Sequence, residues 1–157
     1  MPSVQIYYAV KTCPNNEVIR ELKNQGCNFD CASANEIKQV LELGVSPDRI
    51  IFANPCKGDA HLRYAKQVGV EYMTLDCVEE LENIHSIYPE AKLVMRIAVE
   101  NTDAPAPMGK KFGSISPNWE GVVKRCAELK MNLKGVSFHV GTGGCSFNAY
   151  KESLENT

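Results

Sequence analysis

The chain has 157 residues, 44% of them hydrophobic and 23% charged, and carries a formal net charge of −2. That is the size and make-up of one globular domain with its own hydrophobic core, and the near balance of charge gives no electrostatic reason to expect nucleic acid or an anionic membrane as partner. No apolar run reaches the length of a membrane span, and the N-terminus lacks the basic-then-apolar pattern of a leader.

In chain order, short runs rich in strand-forming residues recur: "IYYAVK", "NFDCAS", "IIFANP", "YMTLD", "KLVMRIA" and "GVSFHVG". The first four begin at Ile6, Asn28, Ile50 and Tyr72, a step of 22 residues each time. Amphipathic segments lie between them. "NEVIRELKNQG" gathers Val18, Ile19 and Leu22 on one helical face and ends on Gly26, a natural C-terminal cap. "SANEIKQVLELG" starts at Ser33 with Glu36 three residues later, the spacing of a capping box. "GDAHLRYAKQVG" and "CVEELENIHSIYP" repeat the pattern, and "SPNWEGVVKRCAELK" offers Ser116 as N-cap with Pro117 at the first helical position. Residues 100–115 interrupt the rhythm with a Pro/Gly-rich excursion after the fifth strand.

Strand and helix alternating at a constant pitch imply βα units and a parallel sheet. Equal spacing favours a closed (β/α)8 barrel of the TIM type over an open sheet, and such a barrel needs eight units. Six strands are counted here, so residues 1–157 are expected to be an incomplete α/β barrel of about six units. The seven cysteines (13, 27, 31, 56, 77, 126 and 145) form no CxxC pair. They are read as free thiols in a reducing, cytoplasmic setting, with no disulfide framework and no metal site.

Side chains alternate along a strand, so the strands sort into a bulky apolar face for the helices and a smaller face with a polar group near the C-terminal end. Ile6, Tyr8 and Val10 oppose Tyr7, Ala9 and Lys11; Phe29 and Cys31 oppose Asp30; Met73 and Leu75 oppose Thr74 and Asp76. Leu93, Met95 and Ile97 oppose Arg96, and Val136, Phe138 and Val140 oppose Ser137 and His139. Singly, each polar residue has an ordinary reading: a lysine reaching solvent, an aspartate entering a loop, a histidine bonded in a core. Together, Lys11, Asp30, Asp76, Arg96 and His139 converge at the end of the barrel where such folds keep their active sites. A lysine partly desolvated there and close to Arg96 is a nucleophilic amine, suited to Schiff-base chemistry with an aldehyde such as pyridoxal phosphate. His139 can lie flat against the cofactor ring, and the "HVGTGG" turn offers backbone N–H groups and the Thr142 hydroxyl to a phosphate.

These motifs, with "FDCAS…E", "ANPCK" and "KKFG" in the same order, resemble the barrel-type decarboxylases of ornithine, arginine and diaminopimelate over nearly the whole chain. "ANPCK" and "FHVG" point to the ornithine branch. The resemblance implies an alanine-racemase-like barrel that holds pyridoxal 5'-phosphate and turns ornithine into putrescine. It makes Lys11 the residue bonded to the cofactor aldehyde and His139 the one stacked on its ring. It places Asp30, Glu36 and Arg96 in the cofactor pocket, Thr142 at the phosphate, and Lys111 across a homodimer interface. Cys13 stands where the family usually has asparagine, and Thr142 where it usually has serine. The resemblance also places a glycine-rich phosphate loop, the carboxylate for the pyridine nitrogen and a β-domain beyond these residues, so the chain alone is expected to be inactive. Two rival readings are a non-catalytic regulator resembling antizyme inhibitor and a small pyridoxal-phosphate carrier protein. Other expected partners are a small amino-acid substrate and an antizyme-like regulator.

Overall fold

The computed structural model describes residues 3–99, 104–106, 112–143 and 147–155. Lys111 and Cys145 lie outside them, as does much of the Pro/Gly-rich stretch. Six parallel strands stand in the sheet in their chain order: β1 (Tyr7–Ala9), β2 (Asn28–Cys31), β3 (Ile50–Phe52), β4 (Tyr72–Leu75), β5 (Lys92–Arg96) and β6 (Asn132–Ser137). Helices α1 (Asn16–Asn24), α2 (Ala34–Glu42), α3 (Asp59–Val68), α4 (Val78–Ile87), α5 (Ser116–Glu128) and α6 (Phe147–Glu155) follow the strands in turn. Helices α1 to α5 each connect neighbouring parallel strands, and α2 to α5 pack side by side in chain order. The result is the wall of a (β/α) barrel, as the spacing foretold.

Alternation explains the core. Phe29 and Cys31 of β2, Met73 and Leu75 of β4, and Leu93 and Met95 of β5 are buried and share one cluster with Ile19, Ile37, Leu62, Leu81 and Ile84 of the helices. Each such side chain, fully buried, contributes roughly 1.5–3 kcal/mol, so a one-residue slip of any central strand would be heavily penalised. Their neighbours Asp30 and Arg96 are only half-buried and face the other way. Helix α2 starts as its capping signature requires, the Ser33 Oγ accepting the Glu36 amide at 3.2 Å. Its Glu36 carboxylate, however, accepts from the Ala32 amide, one residue before the usual partner.

Differences from expectation fall at the sheet edges. β1 has three residues, and Ile6, expected on the apolar face, is 67% exposed, because among the described residues β1 pairs on one side only. β6 begins at Asn132, earlier than expected, and ends two residues before His139; Val136, expected against the helices, is exposed. In α5 Ser116 is already helical and Ile115 is the cap residue, with no side-chain cap bond. The six described cysteines are free.

Candidate active site

The C-terminal ends of the strands surround a cavity of about 460 Å³. After β1 the chain tightens into a 3-10 turn, Val10–Thr12. Val10 is fully buried in the core, and the next residue, Lys11, lines the cavity. Asp30 reaches it from β2, Thr74 from β4 and Arg96 from the last position of β5, while His139 follows β6. Lys11, Asp30, Arg96 and His139 were singled out in the sequence, and all four line this one space. Lys11 differs from expectation in one respect: it is exposed on its turn, since β1 is an edge strand with a neighbour on one side only.

The site is electrostatically coupled. Burial pushes the Asp30 carboxyl above its ordinary value, against the pull of Lys11 and Arg96 and with the help of Glu36. Burial also lowers the Arg96 guanidinium, while Asp76 and Asp30 hold it up. The Arg96 guanidinium lies over the Phe112 ring, 5.3 Å from its centre. A cation over an aromatic face recovers part of the solvation lost there. Asp76 is not among the cavity-lining residues; its Oδ2 accepts the Gly113 amide at 2.9 Å and so ties down the loop that carries Phe112. Gly113 itself has φ +108° and sits so close that a Cβ would meet the Ala98 nitrogen at 2.7 Å. Only glycine permits that approach.

His139 is pushed below the ordinary imidazole value, by burial first and then by Arg96 and Lys11. Its Nδ1 accepts the Gly141 amide at 2.9 Å. A backbone N–H can only donate, so Nδ1 is unprotonated and the neutral ring carries its proton on Nε2. Glu36 and Thr142 are not among the lining residues. The Glu36 carboxylate is engaged with the Ala32 amide, next to the cavity-lining stretch of β2. Thr142 exchanges backbone hydrogen bonds with Ala106, its N–H donating at 3.0 Å. The amides of Gly141 and Thr142, expected to be open to a phosphate, are thus occupied, and the exposed Thr142 side chain is what the turn presents.

Sequence reasoning missed the third strand's contribution. "ANPCK" was read as a motif with no site residue, yet Asn54 and Pro55 line the cavity and Lys57 underpins it. Lys57 Nζ is 2.7 Å from a Glu80 carboxylate oxygen, with both side chains buried. It also donates to the carbonyls of Thr74 at 2.6 Å, Asn54 at 3.1 Å and Pro55 at 3.4 Å. Burial lowers this ammonium and Glu80 opposes the shift. One lysine therefore ties three lining residues to α4. No local pattern marks this lysine, since the carboxylate that pairs with it lies 23 residues further on.

The whole chain, residues 1–157, matches the family model "Pyridoxal-dependent decarboxylase, pyridoxal binding domain". A probable ornithine decarboxylase of Dictyostelium discoideum is 44% identical over 154 residues, 98% of this chain and 33% of the relative. Antizyme inhibitor 2 of Xenopus laevis is 37% identical over 99% of this chain and 34% of its own length. The crystal structure of the Paramecium bursaria Chlorella virus arginine decarboxylase superposes with a TM-score of 0.95 at 36% identity, covering 99% of this chain and 42% of that one. The chain thus spans about a third of the length of the curated relatives it matches. A parallel barrel wall with an amine, a carboxylate, a guanidinium and an imidazole at one mouth, matched end to end by that model, belongs to the pyridoxal-dependent decarboxylases, in the part that binds the cofactor.

Proposed function

We propose that these 157 residues are the cofactor-holding part of a decarboxylase that converts L-ornithine to putrescine. The observation that carries this reading is the convergence of Lys11, Asp30, Arg96 and His139 on one cavity. Pyridoxal 5'-phosphate suits these residues. The volume is in the range of small-molecule sites, Lys11 offers a primary amine to an aldehyde, and Arg96 offers a half-buried cation to an anionic group. When bound, the cofactor supplies an electron sink for the carbon that loses carbon dioxide. Lys11 would hold the cofactor through its amine, and His139 would meet the ring as a neutral imidazole. Asp30 and Arg96 would set the charge of the pocket, Glu36 would steady the end of β2 from behind the lining, and Thr142, outside the lining residues, would offer its hydroxyl to the phosphate from the rim.

Ornithine as substrate is supported by the 44% identity to the Dictyostelium relative and by "ANPCK" and "FHVG". Arginine or another basic amino acid is the nearest alternative, given the likeness to the viral arginine decarboxylase. For the whole enzyme we infer a homodimer in the cytoplasm, open to an antizyme-like regulator, with the substrate's side chain read by residues beyond this segment. The second reading, a regulator like antizyme inhibitor, is favoured by the Xenopus relative. Against it, all four cavity-facing groups are present here.

Borohydride reduction of the protein loaded with pyridoxal phosphate, followed by peptide mapping, tests the assignment. The pyridoxyl label is expected on Lys11. Lys57, fully buried and ion-paired, should stay unlabelled. A label found mainly on any other lysine would reject the reading.

A further inference from the structure

Resting on the cofactor reading above, we propose that the Thr74 hydroxyl is a hydrogen-bonding contact for bound pyridoxal phosphate, donating to one of its oxygens. Thr74 is 4% exposed, and its Oγ1 has no hydrogen-bond partner among the described residues. Nevertheless it lines the cavity. Strand alternation leaves it no other direction, because Met73 and Leu75 on either side are fully buried in the core. The backbone cannot readily turn to find the hydroxyl a partner. Its carbonyl is held by the buried Lys57 ammonium at 2.6 Å, and β4 is paired on both sides, Phe52 to Met73 and Thr74 to Val94. Arg96 stands two residues beyond Val94 on the neighbouring strand and lines the same space. Valine has the same shape and would leave nothing unmet. A buried hydroxyl without a partner is a net cost to the empty protein, and it becomes useful when a ligand with acceptor oxygens fills the space beside it.

The full-length protein, with its Thr74→Val and Thr74→Ser variants, is stripped of cofactor and then titrated with pyridoxal phosphate. Thermal midpoints of the stripped forms are measured alongside. Thr74→Val is expected to melt at or up to about 2 °C above wild type without cofactor, while its cofactor dissociation constant rises roughly 5–10-fold. Thr74→Ser should keep the dissociation constant within about twofold of wild type. A purely structural hydroxyl would give the opposite pattern. If the stripped Thr74→Val melts below wild type, the hydroxyl has a partner inside the protein and the proposal is overturned. If wild type binds and Thr74→Val binds equally well, the contact alone is rejected. If wild type takes up no pyridoxal phosphate, the cofactor reading fails and the contact falls with it.

Discussion

At the scale of single residues, the mouth of the barrel is governed by charges that act on one another. His139 sits below its ordinary value because burial, Arg96 and Lys11 all disfavour a second proton. Its folded value lies below its unfolded one, so its contribution to stability is fully present above the unfolded value, near pH 6.5, and is lost as the pH falls through the folded value. The imidazole resonances should therefore titrate with a midpoint below 6.5. Arg96→Met, which removes the neighbouring cation with the stronger influence on the ring, should move that midpoint up. A wild-type midpoint at or above 6.5, or one indifferent to Arg96→Met, would show that the two side chains do not share the cavity. His139→Ala itself should change stability by less than about 0.5 kcal/mol, since the residue is exposed overall and its desolvation is only partial.

Among the elements, the joint between β3, β4 and α4 is the most demanding. A buried ammonium must meet an anion and satisfy its remaining donors, or its desolvation dominates. Lys57 meets both needs, through Glu80 and three carbonyls, and Asn83 Nδ2 closes the arrangement by donating to the Lys57 carbonyl at 3.1 Å. Lys57→Met leaves the Glu80 carboxylate buried without its cation and should cost about 3–5 kcal/mol in a urea denaturation experiment. The double variant Lys57→Met, Glu80→Leu should recover most of that loss. Because the same ammonium fixes the Thr74, Asn54 and Pro55 carbonyls, the double variant should still bind pyridoxal phosphate less tightly than wild type. Equal affinity would mean that the pin serves the fold alone.

For the whole molecule, the sheet runs from β1 to β6 without a closing pair between them among the described residues. Edge strands with free N–H and C=O groups template further pairing. Apolar side chains are exposed beside both edges, Ile6 and Tyr7 at one and Val136 at the other. On α6, Phe147, Tyr150 and Leu154 form an exposed stripe. The 157-residue chain expressed by itself is therefore expected to self-associate in sedimentation velocity as its concentration rises. On the proposed function it should also release no carbon dioxide from carboxyl-labelled ornithine above the level of free pyridoxal phosphate, because that catalysis would draw on pre-organised groups outside these residues. A monodisperse monomer, or release near the rate of a full-length decarboxylase, would contradict this picture.

The constant 22-residue step and the alternation of Phe29, Met73, Leu75, Leu93 and Met95 were enough to specify parallel strands, a single helix-covered face and a polar mouth. Burial acts on every second residue of a strand, and that leaves a record a reader can follow. The same record placed Lys11, Asp30, Arg96 and His139 together, while Asp76, expected with them, is engaged by the Gly113 amide instead and does not line the cavity. What lay outside it depends on contacts between residues far apart in the chain. The Lys57–Glu80 pair joins positions 23 apart with no periodic signature. The exposure of Lys11 and Val136 follows from which strands are edges. The bond from Thr142 to Ala106 takes up an amide that looked open, and the missing partner of the Thr74 hydroxyl exists only once its neighbours are in place. Periodicity is local and survives in one dimension, whereas the satisfaction of a buried polar group is decided only when the chain closes around it.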